Sequence, residues 1–184
     1  TTTDSEGKFT DTYSSDVTGK WTVKAEIEGE ISEPAAFYIF VSPPIKVGAI
    51  GPLEWIQGIG IREGATMAVD EINDAGGVLG RKLVLYVRDE GIEPAVGRAS
   101  MERLMTEDVV DFVVGGFRSE IVYGEREVAM DHEKIFVMTG SATNELLDCF
   151  GSLTVPTPCG HCVRCNYERY KYLFRVMPLN ESAI

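Results

Sequence analysis

The sequence predicts an α/β fold, a doubly wound parallel sheet with a short N-terminal β unit ahead of it. Three observations carry that expectation. From Ile45 onward, short β-branched runs alternate with stretches of helical periodicity. Most of those runs are apolar on both faces, as strands covered by helices on each side must be. Before Ser42-Pro43-Pro44, by contrast, the periodicity is two and Thr, Ser, Gly and aromatic residues dominate. Regular β-α-β-α order implies right-handed crossovers, and such sheets bind ligands at the carboxyl ends of their strands.

The first 42 residues read as strands and turns. Lys8 to Tyr13 and Trp21 to Ile27 alternate apolar and polar residues, with a turn at Ser15 to Gly19, and a third run spans Ala36 to Val41. Paired prolines make residues 43–44 a short stiff linker. Beyond it, strands are expected at Ile45 to Ile50, Lys82 to Val87, Val109 to Val114, Ile135 to Met138 and Tyr172 to Val176. The first helix should bury Ile61, Ala65, Ala68 and Ile72 and stop at Gly76-Gly77. Pro94 should open the second helix, where its missing N–H costs nothing. Ser119 should cap a third helix reaching about Glu133. The loops to watch start at Gly51, Asp89, Gly115 and Gly140.

Composition narrows function. A net charge of −12 over 184 residues argues against nucleic acid, which needs clustered Lys and Arg, and against an anionic membrane surface. No stretch approaches the roughly 20 apolar residues that span a bilayer. No catalytic set emerges: the histidines are His132, on a helix, and His161, beside cysteines. Asp70, Glu71, Asp74, Glu125 and Glu127 fall on helix faces and read as solvating charge. The expectation is a non-enzyme.

Several motifs carry a resemblance. Ile45 to Leu53, Ala65 to Arg81, Arg88-Asp89-Glu90 with Glu93-Pro94-Ala95, Val113 to Gly116, Ser141 to Asn144 and Phe174 to Pro178 follow one another at consistent spacings. Together they resemble the N-terminal lobe of type I periplasmic binding proteins serving branched-chain amino-acid ABC transporters, over residues 45–148 and 170–180. The resemblance implies a lobe at 45–184 whose second lobe lies beyond Ile184. It implies an extracytoplasmic, membrane-anchored receptor that closes on an amino acid or related carboxylate and docks on a permease, with no cofactor. A sensory domain of the same fold is one alternative, and a Rossmann-type nucleotide-binding enzyme domain is the other. Residues 13–25 also resemble the C-terminal half of an immunoglobulin-like repeat, so residues 1–42 are expected to be part of one.

The resemblance places ligand contacts at Ser119, Ser141, Ala142 and Thr143, with Gln57 or the neighbouring Trp55 covering the ligand. Free N–H groups at a helix start, beside hydroxyls, suit a carboxylate. Arg118 departs from the family's small residue; it either binds an additional acid on the ligand or pairs with Glu120 or Glu125. Cys149, Cys159, Cys162 and Cys165 fall in an insertion at about 149–169. Outside the cytoplasm two disulfides are expected there, and a tetrahedral zinc site is the alternative. Gly58 to Gly64 mimics a dinucleotide fingerprint, but the strand ends too early and the last glycine falls one residue late. Cys159 to Cys162 likewise lacks the thioredoxin-like strand and helix that redox catalysis requires.

Overall fold

The structure, a computed structural model, describes residues 43–143 and 166–176 in full, and the backbone of residues 19–23, 26–27, 30–31 and 35–39. The chain forms two compact units, Thr1–Pro43 and Pro44–Ile184. In the first, β1 (Gly19–Val23) pairs antiparallel with β4 (Ala35–Ile39), Trp21 facing Phe37 across the ladder. Between them β2 (Glu26–Ile27) pairs with β3 (Glu30–Ile31). The run expected as one strand from Trp21 to Ile27 is therefore two strands with different partners. The expected strand at Lys8 to Tyr13 lies outside the described residues.

In the second unit β5 (Ile45–Gly51), α1 (Ile56–Asp74), β6 (Leu83–Asp89), α2 (Pro94–Thr106), β7 (Phe112–Gly115), α3 (Ser119–Asp131), β8 (Ile135–Met138), α4 (Tyr167–Tyr170) and β9 (Leu173–Arg175) follow in order. The strands build one parallel sheet in the order β6-β5-β7-β8-β9. Its direction of winding reverses at β5, so the loops after β5 and β7 leave the sheet on either side of a crevice.

Period two along each strand divides the sheet into two faces. On one, Ile50, Val113, Phe136, Met138 and Leu173 join Met101 and Leu104 of α2 and Val122 and Val128 of α3 in the main core. On the other, Val47 and Leu83 pack with Val69 of α1. Helix α1 is thus rotated from its expected face. Val69 is buried and Ile61 and Ala65 are half-buried, whereas Ala68 and Ile72 are exposed. The face laid on the sheet carries Val69, packed on Val47 and Leu83, and near its start Gly58, whose added Cβ would come within 2.0 Å of the Pro52 carbonyl oxygen. Only glycine there lets the helix approach its preceding loop along this side.

Helix α1 ends as expected, with Gly76 and Gly77 at φ of 103° and 84° and the Gly77 N–H bonded to the Ile72 carbonyl at 2.8 Å. Strand β7 starts later than expected because Val109 takes φ of 53° and breaks the extended run. Asn73 clamps the end of α1 to β6: its Oδ1 accepts the Leu83 N–H at 2.7 Å and its Nδ2 donates to the Leu83 carbonyl at 2.9 Å. Asn73→Ala should destabilise the unit by about 1–3 kcal/mol, measured by urea unfolding, because it strands both groups of Leu83.

Structure resumes where the 149–169 segment ends. One helical turn, α4, plants Tyr170 in the main core at 2% exposure. Arg126 of α3 lies between the Tyr123 and Tyr170 rings, 4.9 and 4.8 Å from their centres. Arg169 reaches Glu127 and Asp131 of α3 at 2.7 and 2.8 Å. The four cysteines lie outside the described residues.

Candidate functional site

Four strand-to-helix or strand-end loops meet at the carboxyl edge of the sheet. The loop after β5 runs from Pro52 to Trp55 and closes with the Trp55 N–H bonded to the Pro52 carbonyl at 2.9 Å. Asp89, ending β6, accepts the Leu53 N–H at 3.0 Å and the Gly91 N–H at 2.9 Å, so one carboxylate fixes two of the loops. The loop after β7 turns through Gly115 and Gly116, at φ of 120° and 75°. The loop after β8 is tied to it by the Thr139 and Gly140 N–H groups, which bond the Gly115 and Gly116 carbonyls at 3.0 and 3.1 Å.

Two contacts join residues anticipated from sequence, and a third residue lines a cavity. The Arg118 guanidinium sits over the Trp55 ring at 5.5 Å. The Ser141 hydroxyl donates to the Ser119 hydroxyl at 3.1 Å, linking the last two loops. Gln57 lines a cavity of about 460 Å³ with Ile61, Val114, Phe117, Thr139 and Gly140. A smaller cavity of about 230 Å³ lies between Trp55, Asp89 and Glu93. Ala142 and Thr143 continue the loop half-buried, and the Thr143 carbonyl accepts from Arg175 at 2.8 Å.

One anticipated role changes. Ser119 is the first helical residue of α3 rather than its cap; Arg118 holds that position in extended geometry, and its carbonyl takes the Ile121 and Val122 N–H groups, each at 2.9 Å. The Arg118 side chain pairs with Glu120 and donates to the Ile92 carbonyl at 3.1 Å.

Sequence reasoning passed over three groups. Phe117 stands in the cavity, so close that a Cβ on Gly140 would lie 2.6 Å from its ring. An aromatic directly after a strand-ending Gly-Gly was the signal available. Thr139 lines the same cavity, and its buried hydroxyl has no hydrogen-bond partner among the described residues. Glu90 is fully buried; its carboxylate accepts the N–H groups of Phe117, at 3.1 Å, and of Arg118, at 3.2 Å. Burial pushes its pKa up, and the two backbone donors pull it down.

The glycines of the apparent dinucleotide fingerprint fall inside α1, not on a strand-to-helix loop where a phosphate would be cradled. Among the described residues, no group of three or more His, Cys, Asp or Glu could hold a metal ion. No helix among them is long and apolar enough to cross a membrane.

The family model described as Periplasmic binding protein matches residues 44–160. The chain belongs to that family. Among curated relatives of this periplasmic binding protein lobe, the Leu/Ile/Val-binding protein BraC3 of Rhizobium johnstonii is 33% identical over 68% of the chain and 34% of its own length. The Amino acid binding protein of Pseudomonas aeruginosa is 30% identical over 66% of the chain and 32% of its own. The lobe thus spans about a third of the relatives it matches. Among solved structures, the branched-chain amino acid transporter substrate binding protein LivJ of Streptococcus pneumoniae, in complex with isoleucine, shares the fold with a TM-score of 0.58. It is 22% identical and covers 74% of this chain and 34% of that one.

Proposed function

We propose that this chain supplies one wall of the ligand cleft of an extracytoplasmic solute receptor, which binds an amino acid or related carboxylate and delivers it to an ABC permease. The observation that carries the reading is the Ser119–Ser141 hydroxyl contact, which sets two hydroxyls and the start of α3 together at the carboxyl edge of the sheet, beside its switch point. The relatives' names, and the isoleucine held by a protein of this fold, support the ligand class. Residues 1–42 are proposed to be part of an immunoglobulin-like β unit.

A second wall excludes water, which is what makes hydrogen bonds to a charged ligand strong. The isolated chain should therefore bind weakly or undetectably, and a longer protein carrying a second lobe tightly. In the longer protein Ser119→Ala and Thr143→Ala should each weaken binding by about 1–3 kcal/mol. Arg118→Ala should matter only for ligands bearing an additional acid able to compete with Glu120. Calorimetry with neutral, acidic and aromatic amino acids and simple carboxylates checks this. Unchanged affinity in both the Ser119 and Thr143 variants would reduce those residues to structural roles.

A further inference from the structure

Glu125 of α3 is fully buried, and neither carboxyl oxygen has a hydrogen-bond partner among the described residues. Its place in the structure is nonetheless prepared. An added Cβ on Gly97 of α2 would lie 3.1 Å from Oε1, and one on Gly116 would lie 3.1 Å from Oε2, so two glycines leave room for one carboxyl group. The Glu90 main-chain oxygen lies 3.4 Å from the same point at Gly97. The Glu90 carboxylate meanwhile holds the N–H groups of Phe117 and Arg118, the two residues after Gly116. Two buried carboxyl groups thus converge beneath a single turn of the cleft loop.

Two adjacent carboxylates shut away from water cannot both be charged. Glu90 has the backbone donors and so suits the anion, whereas Glu125 has none and suits the acid. We propose that Glu90 and Glu125 share one proton and act as a pair of positioning residues for the loop Gly116–Arg118. Neither touches a ligand. The acid of Glu125 keeps the Glu90 anion seated on the two N–H groups, and these hold Phe117 and Arg118 against the cleft. The inference rests on reading that loop as part of the ligand site. The other charged groups acting on Glu90 are Asp89, on its own strand end, and Arg118, on the loop itself; α2 offers Gly97 at the contact. Glu90 is the charged group that acts on Glu125.

Amide exchange and carboxyl-carbon titration by NMR on this chain test the pair without any ligand. As pH rises and the shared proton leaves, the Phe117 and Arg118 amides should lose protection together, at least ten-fold, while Leu104 in the core does not. Glu125→Gln, which keeps a donor and cannot ionise, should retain the protection at every pH. Glu125→Leu and Glu90→Gln should each lose it at least ten-fold already at pH 6. Identical protection and pH profiles in the Glu125→Gln, Glu125→Leu and parent chains would overturn the proposal. Should Glu125→Leu fail to fold, the pH profile of Glu125→Gln against the parent decides alone. If L-leucine and simple carboxylates give no binding heat with a longer protein, the function fails while the exchange result stands.

Discussion

Gly115→Ala is expected to destabilise the chain by about 3 kcal/mol or more, a larger loss than a buried methyl normally causes. Gly115 has φ of 120°, which an L side chain rarely adopts, and an added Cβ would lie 2.0 Å from the Ile50 carbonyl oxygen. That oxygen accepts the Gly116 N–H at 2.8 Å, so relieving the clash pulls apart β5 and the loop after β7. The damage would fall on the crevice itself. Gly60→Ala is the control: its methyl meets nothing within 4 Å, and it lies inside α1. Alanine there should stabilise by about 0.5–1 kcal/mol through helix propensity. Urea unfolding of both variants measures the contrast, and a Gly115→Ala loss below about 0.5 kcal/mol would show that the turn does not need its left-handed geometry.

The second large effect is a stability that falls as pH rises. Burial first, and the Glu90 charge second, lift the Glu125 pKa well above its ordinary 4.5. At pH below that ordinary value the folded and unfolded chains both carry this proton. Above it the unfolded chain releases the proton while the folded chain keeps it. Folding then loses up to about 1.4 kcal/mol per pH unit until the pH passes the raised folded value. The Glu90 shift has the same sign. The melting temperature of this chain should therefore fall between pH 5 and pH 7, and Glu125→Gln should flatten the slope. Equal slopes in the two proteins would remove Glu125 as their cause.

Much of the fold was legible because its signals are local. β-branched runs, Gly76-Gly77 and Pro94 each act on their own stretch of backbone, and the parallel sheet follows from their order. What failed depended on distant partners. Ala68 and Ile72 fit the period of a buried face, yet Val47 and Leu83 of the sheet take Val69 instead. Glu125 looked solvated because a carboxylate on a helix usually is; nothing nearby in sequence reveals the room left by Gly97 and Gly116. The site divided in the same way. Ser119, Ser141, Trp55 and Arg118 sit at strand ends, where topology alone brings them together. Phe117 and Thr139 matter through a cavity that belongs to several strands at once.

The placement of β9 carries a consequence for the order of assembly. β5 is held on both sides, by seven register positions against β6 and four against β7, and β7 meets β8 through four more. β9 pairs with β8 through three residues, Leu173 to Arg175, at the sheet's edge. Ile45 meets Leu83 and Phe136 meets Leu173 across nearly equal lengths of chain, so the entropy of closure is similar and the shorter ladder repays it least. The other four strands should therefore form first and β9 dock last. Tyr170, one turn before it, enters its place beside Arg126 at that same late step. The cleft loops after β5 and β7 belong to the early nucleus, so the ligand-facing edge takes shape before the chain has finished folding.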